Sequence, residues 1–388
     1  MASGKTYPIG VLFSLSGGYA QPARQGYLGA LAAIDHVNGS GDYGFQLVAH
    51  HADPGGEADR YAPLCRELIR EHGVRNVVGC TTSWSRKEVI PVVEKADALL
   101  WYPCVYEGFE VSENLVYISA CANQHLIPLI DYIAPRFGSR VLLLGSNYIW
   151  GWEMNRIARD VLHRSGGEVL GERYVPIGDA DIAHLIDEVR EKKPDFILNN
   201  LIGPSSYAFL RALHRLGQED PAFSAANCPV LSCNLYENEI LTLGEAAAGH
   251  FTVGCYFNTL DTPRNRAFRH MLEATGQDVV ADAFFVETFS AVLMIAEAIR
   301  QTGSDQSDRI FEVLRSTAID TPLGVMQVDR WTNHVALPAH IGRARADGSF
   351  EIVHSANVAI APDPFLTSTP LTRKLARVEA RADLRVVK

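Results

Sequence analysis

Apolar strand-like runs alternate with amphipathic helix-like segments along almost the whole chain. Residues 9–13 predict a first strand, and residues 25–38 predict a helix in which apolar positions recur every three or four residues. A strand over residues 45–51 and a helix over residues 60–72 repeat the unit. Strands that alternate with helices in this way predict a parallel sheet covered by helices on both faces.

The same alternation continues beyond residue 120, with further strands predicted over residues 140–145, 168–175, 196–201 and 229–232. A long Ala-rich helical pattern over residues 280–302 is interpreted as a return to the first half. We therefore expect an α/β protein with two Rossmann-like lobes, each built on a parallel sheet, joined by a multi-strand hinge with the ligand cleft between them. The predicted lobes comprise residues 1–120 plus 256–330 (N-terminal) and residues 121–255 plus 331–388 (C-terminal).

The composition limits the classes of function. A chain of 388 residues with 47% apolar and 21% charged residues is long enough for two cores. Its formal net charge of −10 argues against direct nucleic-acid binding, which requires clustered cationic side chains. The sequence contains no apolar run of about 18 residues, the length that would predict a membrane span.

The cysteines and the first residues bear on the compartment. Seven cysteines are scattered without CxxC or Cys/His ligand spacing, which favours reduced thiols over a disulfide framework. The first residues lack a cationic segment followed by an apolar core, the pattern of an export signal. We expect a cytoplasmic protein, with a periplasmic location as the alternative if a leader has been removed.

Residues 79–110 carry most of the functional information. A strand over residues 74–78 ends at Gly79, and the hydroxyl residues Thr81 and Ser83 follow where a helix should begin. A second short strand ends at Tyr102. Open α/β sheets bind small ligands at the carboxyl ends of neighbouring strands, so these side chains predict a binding crevice. Ser83 can also cap the helix, and the two roles are compatible.

An aromatic cluster occupies the corresponding position of the second half. Tyr148, Trp150 and Trp152 follow the strand over residues 140–145, in a predicted loop. Such aromatics can simply cover a core. They can also face the same cleft as Tyr102, and aromatic walls with a few polar groups enclose small, largely uncharged ligands.

Several patterns of other site classes are absent or misplaced. The sequence lacks GxxxxGK, HExxH and GxSxG, and its GxGxxG over residues 39–44 follows a helix and precedes a strand, the reverse of a dinucleotide site. His50, His51 and Asp53 lie at a strand end where alternate side chains face opposite ways. We predict no metal, no cofactor and no catalytic residues, and hence no enzyme.

The C-terminal residues 373–388 form a basic amphipathic pattern with six cationic and two acidic side chains. A solvated terminal helix is the simpler interpretation, because chain ends are poorly ordered unless they dock. Docking to an acidic partner protein is the alternative.

A longer motif points to a known family. The chain reads SxxRKxVxPVVExADALL from Ser83 and YPxxYEGFE from Tyr102, and adds DPGG from Asp53 and GSNY from Gly145. This pattern resembles the amide- and urea-binding branch of the type I periplasmic-binding-protein superfamily, and within it the AmiC-like amide sensors that negatively regulate an amidase operon. The resemblance extends from about residue 9 to residue 364.

The resemblance implies ligand-binding positions in both lobes. Ser83 would donate to the ligand carbonyl, Tyr102 and Tyr148 would flank the amide, and Trp150 would occupy a second aromatic position. Thr81, Cys104, Val105 and Trp150 depart from the residues of the amide sensors, so the pocket differs in shape and hydrogen bonding. Two second-lobe strand ends complete the predicted set with Ile202 and Asn234.

Two functions are expected from these features. The first is a non-catalytic receptor that binds a short-chain amide or urea-like ligand between closing lobes and sequesters an RNA-binding antitermination regulator. The alternative is the substrate-binding component of an ABC importer for urea, short amides or amino acids, which would engage a permease. An amino-acid ligand needs an acidic partner for its ammonium group, and the second-lobe motifs offer no clear acidic candidate.

Overall fold

The structure is a computed structural model and describes residues 5–276, 279–356 and 358–375. It confirms the predicted α/β architecture of two lobes with mostly parallel sheets. Of the predicted basic helix over residues 373–388, the part from residue 376 onward lies outside the described residues.

Two large sheets form the framework of the described chain. The first sheet contains β1 (Lys5–Leu12), β2 (Phe45–Ala52), β3 (Asn76–Gly79), β4 (Leu99–Tyr102) and β5 (Leu115–Tyr117). The second contains β6 (Arg140–Ser146), β7 (Glu168–Val175), β8 (Phe196–Asn200), β9 (Val230–Ser232) and β10 (Phe251–Gly254). A small hairpin follows with β11 (Ile319–Thr321) and β12 (Gly324–Met326), and β13 (His340–Ala344) and β14 (Phe350–Ser355) then extend the second sheet.

Helices cover both sheets. They are α1 (Ala20–Ser40), α2 (Ala58–His72), α3 (Ser83–Ala96), α4 (Leu126–Phe137), α5 (Ile149–Arg164), α6 (Ala183–Lys192), α7 (Pro204–Glu219), α8 (Glu237–Leu243), α9 (Pro263–Ala274), α10 (Ala283–Thr302) and α11 (Ser307–Ser316). Two short 3-10 helices span Pro221–Phe223 and Gly244–Ala246. Helix α10 is apolar on almost every side because it packs between α1 and α11.

The order and register of the first sheet align its strand ends. The strand order is β2-β1-β3-β4-β5, and all pairs are parallel. Leu12 of β1 pairs with Gly79 of β3, and Val78 pairs with Trp101 of β4. The turns that follow these three strands therefore meet at one edge of the sheet, where the sequence predicts the crevice.

The second sheet departs from the prediction at one side. Its order is β14-β13-β10-β9-β8-β6-β7, and β13 and β14 run antiparallel to their neighbours. The sequence analysis predicts neither strand. We refer to the first sheet with its helices as the first lobe and to the second sheet with its helices as the second lobe. The residue bounds predicted for the lobes stay a prediction.

Three described helices, α8, α9 and α11, are absent from the sequence-based assignment, and α5 begins at Ile149, within the segment predicted as a loop. Within the described ranges, no helix combines the length and apolar character needed to span a membrane.

Candidate ligand-binding cleft

All nine residues predicted from the sequence line one cleft between the two lobes. The cleft contains about 450 Å³ of empty space, including space open to solvent. The lining residues are Tyr19, Pro22, Thr81, Thr82, Ser83, Tyr102, Cys104, Val105, Tyr148, Trp150, Ile202, Asn234, Glu239 and Phe284.

The turn after β3 places Ser83 at the start of α3. Cys80 adopts a φ of 65°, and its N–H donates to the carbonyl of Leu12 at 3.0 Å. Thr82 then caps the helix: its Oγ1 accepts from the N–H of Ser85 at 3.2 Å, and Ser85 Oγ accepts from the N–H of Thr82 at 3.1 Å. The capping role considered for Ser83 therefore belongs to Thr82, and Ser83 is the first helical residue.

The hydroxyl of Ser83 belongs to a buried ion-pair network. Ser83 Oγ donates to Glu107 Oε2 at 2.7 Å, and Glu107 Oε1 accepts from Arg86 Nη2 at 2.9 Å. Arg86 Nε also donates to Glu110 Oε1 at 2.6 Å. This arrangement differs from the predicted role of Ser83 as donor to a ligand carbonyl, because its proton is directed to Glu107. The pairing requires a tertiary contact that a local motif does not show.

Arg86 also fixes the aromatic wall of the first lobe. Its guanidinium lies 4.7 Å from the ring centroids of both Tyr102 and Tyr106. Burial alone would lower the pKa of Arg86, but the carboxylates of Glu107 and Glu110 hold it well above its usual value. Tyr102 Oη in turn donates to the carbonyl of Thr81 at 3.1 Å. The charge network and the cleft wall are therefore one packed unit.

Cys104 and Val105 continue the wall beyond β4. The Cys104 thiol donates to the carbonyl of Cys80 at 3.6 Å. Burial holds the pKa of this thiol well above its usual value, so it stays protonated at neutral pH. At this position the cleft offers an apolar surface rather than a nucleophile.

The aromatic residues of the second lobe lie on a helix rather than in the predicted loop. Tyr148 is the N-cap residue of α5, and Trp150 occupies its first turn. Both are buried and line the cleft, whereas Trp152 is 43% exposed and its Nε1 donates to Asn147 Oδ1. The helical turn separates the two tryptophans, so only Trp150 reaches the site.

Ile202 and Asn234 approach the cleft from the ends of β8 and β9. The N–H of Ile202 donates to Ser146 Oγ at 3.0 Å, which ties the turn after β8 to the end of β6. Asn234 Oδ1 accepts from Ser232 Oγ at 2.9 Å. The second lobe thus contributes its strand ends to the same crevice as the first lobe.

The two lobes are in direct contact across the cleft. The ring of Trp84 meets that of Tyr148 edge to face, with centroids 5.4 Å apart. Gly203, the N-cap residue of α7, lies against Gly18 so closely that a Cβ on Gly203 would be 1.9 Å from the Gly18 carbonyl oxygen. The structure is therefore a closed form.

Sequence reasoning missed five lining residues. Tyr19 follows the glycine turn after β1, at the same sheet edge as Ser83, and this position could have been recognised. Thr82 lies between two predicted residues. Pro22 precedes the predicted start of α1, and Glu239 lies on α8, which was not predicted. Phe284 lies within the helix predicted over residues 280–302, but no local signal placed it in the cleft.

Two carboxyl side chains are buried, and one of them, Glu239, lines the cleft. Burial raises the pKa of Glu239 to about 8, and its Oε1 accepts from Tyr207 Oη at 2.7 Å. Glu287 on α10 accepts from Ser119 Oγ at 2.6 Å and from the Cys255 thiol at 3.1 Å, and burial raises its pKa to about 8. Both carboxyls are therefore largely protonated at neutral pH.

Within residues 5–276, 279–356 and 358–375, no group of three His, Cys, Asp or Glu side chains is placed to hold a metal ion. His50 stacks instead on His72, with ring centroids 4.2 Å apart.

Comparison with known proteins identifies the family. A family model described as a periplasmic binding protein domain matches residues 7–371. The chain belongs to this family. Solved structures of binding proteins share its fold at identities below 25%, so they show the fold alone. A Rhodopseudomonas palustris ABC-transporter solute binding protein in complex with p-hydroxybenzoic acid is 19% identical, with a TM-score of 0.82 over 94% of this chain and 100% of that one.

Two further binding proteins resemble this periplasmic-binding-protein chain. The Streptococcus pneumoniae branched-chain amino acid transporter substrate binding protein, in complex with isoleucine, is 17% identical with a TM-score of 0.77 over 92% of this chain and 100% of that one. The leucine-, isoleucine-, valine-, threonine- and alanine-binding protein of Pseudomonas aeruginosa is 23% identical over 331 residues, covering 84% of this chain and 86% of that protein.

A shorter match has a different name. A stretch of 124 residues is 35% identical to a limonene hydroxylase of Geobacillus stearothermophilus. It covers 32% of this chain but only 23% of that protein, so the chain spans less than a quarter of that relative. The full-length relatives are binding proteins of this family, and their named ligands are aromatic acids and amino acids rather than amides.

Proposed function

We propose that the chain is a non-catalytic receptor whose lobes enclose a small, uncharged, amide- or urea-like molecule in the cleft. The observation that carries this proposal is a cleft with aromatic walls, in whose described lining two polar atoms have no hydrogen-bond partner. Thr81 Oγ1 and Trp150 Nε1 are buried without a hydrogen-bond partner among the described residues. A buried polar group without a partner costs about 1–3 kcal/mol. Both atoms therefore favour a ligand that supplies hydrogen bonds.

The charge of the cleft supports an uncharged ligand. None of the described lining side chains is Lys, Arg or His. Glu239 is the acidic candidate that the sequence analysis did not find, but burial raises its pKa to about 8, so it carries little charge at neutral pH. A carboxylate or zwitterion would enter this site without a charged side-chain partner, which is unfavourable.

Two biological roles fit such a receptor. The relatives named above favour the substrate-binding component of an ABC importer, for urea, short amides or amino acids. The motif over residues 79–110 favours a cytoplasmic amide-responsive regulator that sequesters an antitermination protein. In both roles the ligand acts through lobe closure, because it can shift the equilibrium only by binding the closed form more tightly.

A thermal-shift series tests the ligand class. We would add acetamide, propionamide, butyramide, urea, leucine or 4-hydroxybenzoate to the purified protein, because a ligand of the native state raises the melting temperature by mass action. Stabilisation by neutral amides or urea supports the proposal. Stabilisation only by leucine or 4-hydroxybenzoate contradicts the amide class and supports an importer for amino or aromatic acids.

Fractionation of the source cells and affinity capture distinguish the two roles. A regulator should remain in the cytoplasm and co-purify with a partner that the added amide releases. An importer component should be found in the periplasm. It should co-purify with a permease, and added ligand should not release that permease.

A further inference from the structure

Glu107 lies behind Ser83 and does not line the cleft. Its carboxylate accepts a hydrogen bond from the Ser83 hydroxyl at 2.7 Å and is paired on its other oxygen with Arg86 at 2.9 Å. Arg86 and Glu107 are 0% and 2% exposed, so water does not compete for these contacts. A carboxylate only accepts hydrogen bonds and a guanidinium only donates them. The direction of the Ser83 hydrogen bond is therefore fixed.

This direction determines what Ser83 offers to the cleft. A hydroxyl has one proton and two acceptor lone pairs. With its proton directed to Glu107, Ser83 Oγ presents only lone pairs to a ligand. A ligand atom that carries a hydrogen is favoured there, whereas a carbonyl or carboxylate oxygen would leave two acceptors facing each other.

Hydrogen-bond donors lie beside this acceptor. The first backbone amides of a helix have no partner within the helix. In α3 the amide of Ser85 is satisfied by Thr82 Oγ1, while those of Ser83 and Trp84 precede it in the same turn. The start of α3 thus offers an acceptor from one side chain and donors from the backbone.

We infer that Glu107 is a positioning residue that sets the hydrogen-bond polarity of Ser83, and that the cleft thereby selects ligands that present an N–H at this point. The inference rests on the proposed function, because it requires the ligand to occupy this cleft. Glu107 acts through Ser83 and does not contact the ligand.

Replacement of Glu107 by glutamine should invert the direction of its hydrogen bond with Ser83. Because Arg86 only donates, the amide oxygen of the new side chain must face Arg86, and its NH₂ group then faces Ser83. That NH₂ group would donate to Ser83 Oγ and free the hydroxyl proton to turn into the cleft. Ser83 would become a donor to the ligand instead of an acceptor.

The test compares two neutral ligands of similar shape, so that the change in protein charge affects both alike. Propionamide presents an N–H where butanone presents a methyl group. Calorimetric titration of the wild-type protein should show tighter binding of propionamide. In Glu107→Gln the ratio of the two affinities should fall by about tenfold or more, the equivalent of one buried hydrogen bond.

Glu110→Gln is the matched control. It removes the same charge and also pairs with Arg86, but it makes no hydrogen bond to Ser83. Its affinity ratio should equal that of the wild type. If Glu107→Gln does not fold, Ser83→Ala provides the same readout, because loss of the acceptor should also lower the ratio.

The possible failures are distinguishable. If the wild-type protein binds neither urea nor any of the amides of the thermal series, the proposed function fails and this inference fails with it. If propionamide binds but the ratio is unchanged in Glu107→Gln and Ser83→Ala, only the inference is overturned. An equal fall in Glu110→Gln would assign the effect to charge and also overturn it.

Discussion

Replacing Gly203 with alanine tests whether the cleft works by closure. Gly203 has φ 55° and ψ −129°, a backbone conformation that glycine tolerates far better than other residues. A Cβ at this position would lie 1.9 Å from the carbonyl oxygen of Gly18 in the other lobe. Because real Cβ atoms essentially never come closer than 3.0 Å to such a neighbour, the lobes would have to separate by about 1 Å here.

The expected effect has two components. The backbone strain of an alanine in this conformation is about 1–3 kcal/mol and acts on the open and closed forms alike. Separation of the lobes acts on the closed form only and weakens the hydrogen bonds that the second lobe makes to the ligand. Each is worth about 0.5–1.5 kcal/mol. Loss of one or two should weaken binding roughly 2- to 150-fold.

Gly244→Ala separates the two components. Gly244 has φ 54° and ψ −125°, almost the conformation of Gly203, but a Cβ there meets nothing closer than 3.9 Å. Both variants should lose similar thermal stability without ligand. In calorimetric titrations with the most tightly bound ligand of the thermal series, only Gly203→Ala should lose affinity. Wild-type affinity in Gly203→Ala would refute the idea that the contact with Gly18 belongs to the bound state.

Three other predictions follow from the cleft and its supports. Tyr148→Ala removes a wall and should lower ligand affinity roughly tenfold or more in calorimetry; an unchanged affinity would exclude Tyr148 from the site. Arg86→Met leaves the buried Glu107 carboxylate without an ion-pair partner, while Glu110 keeps Lys87, and should lower the free energy of unfolding in urea by about 3–5 kcal/mol. Lys87→Met removes a lysine that is 43% exposed and should change this free energy by less than about 1 kcal/mol; equal effects would contradict the buried pairing. Burial raises the pKa of Glu287 from 4.5 to about 8, so its contribution to stability is present below pH 4.5 and lost as pH rises through 8. Glu287→Gln should flatten the fall in melting temperature between about pH 4.5 and 8, and a wild-type melting temperature that rises over this interval would argue against the protonated carboxyl.

Much of the fold could be predicted because hydrophobic periodicity is a local property. Strands β3 and β4 are buried along their whole length, as is most of β1, and short apolar stretches mark all three in the sequence. Helix α8 has only seven residues, too few to show a period. Strands β13 and β14 contain several partly or fully exposed positions, which gives a weaker signal than a buried parallel strand.

The lining of the cleft was more predictable than its chemistry. Strand ends can be placed from sequence, and the residues predicted there line one cavity. Glu107 lies 24 residues from Ser83, and nothing local indicates that it accepts a hydrogen bond from Ser83. Likewise, the neutral state of Glu239 depends on burial by elements distant in sequence.

The cysteines of this chain have a practical consequence. All seven are free and buried, and burial raises the pKa of Cys65 and Cys228 to about 12. Thiols alkylate as thiolates, so these side chains should resist labelling in the native state. Trp152→Cys would place an accessible thiol at a position that is 43% exposed on the helix behind Trp150. A fluorescent dye attached there would turn the protein into an optical sensor for its own ligand, without removal of any native cysteine.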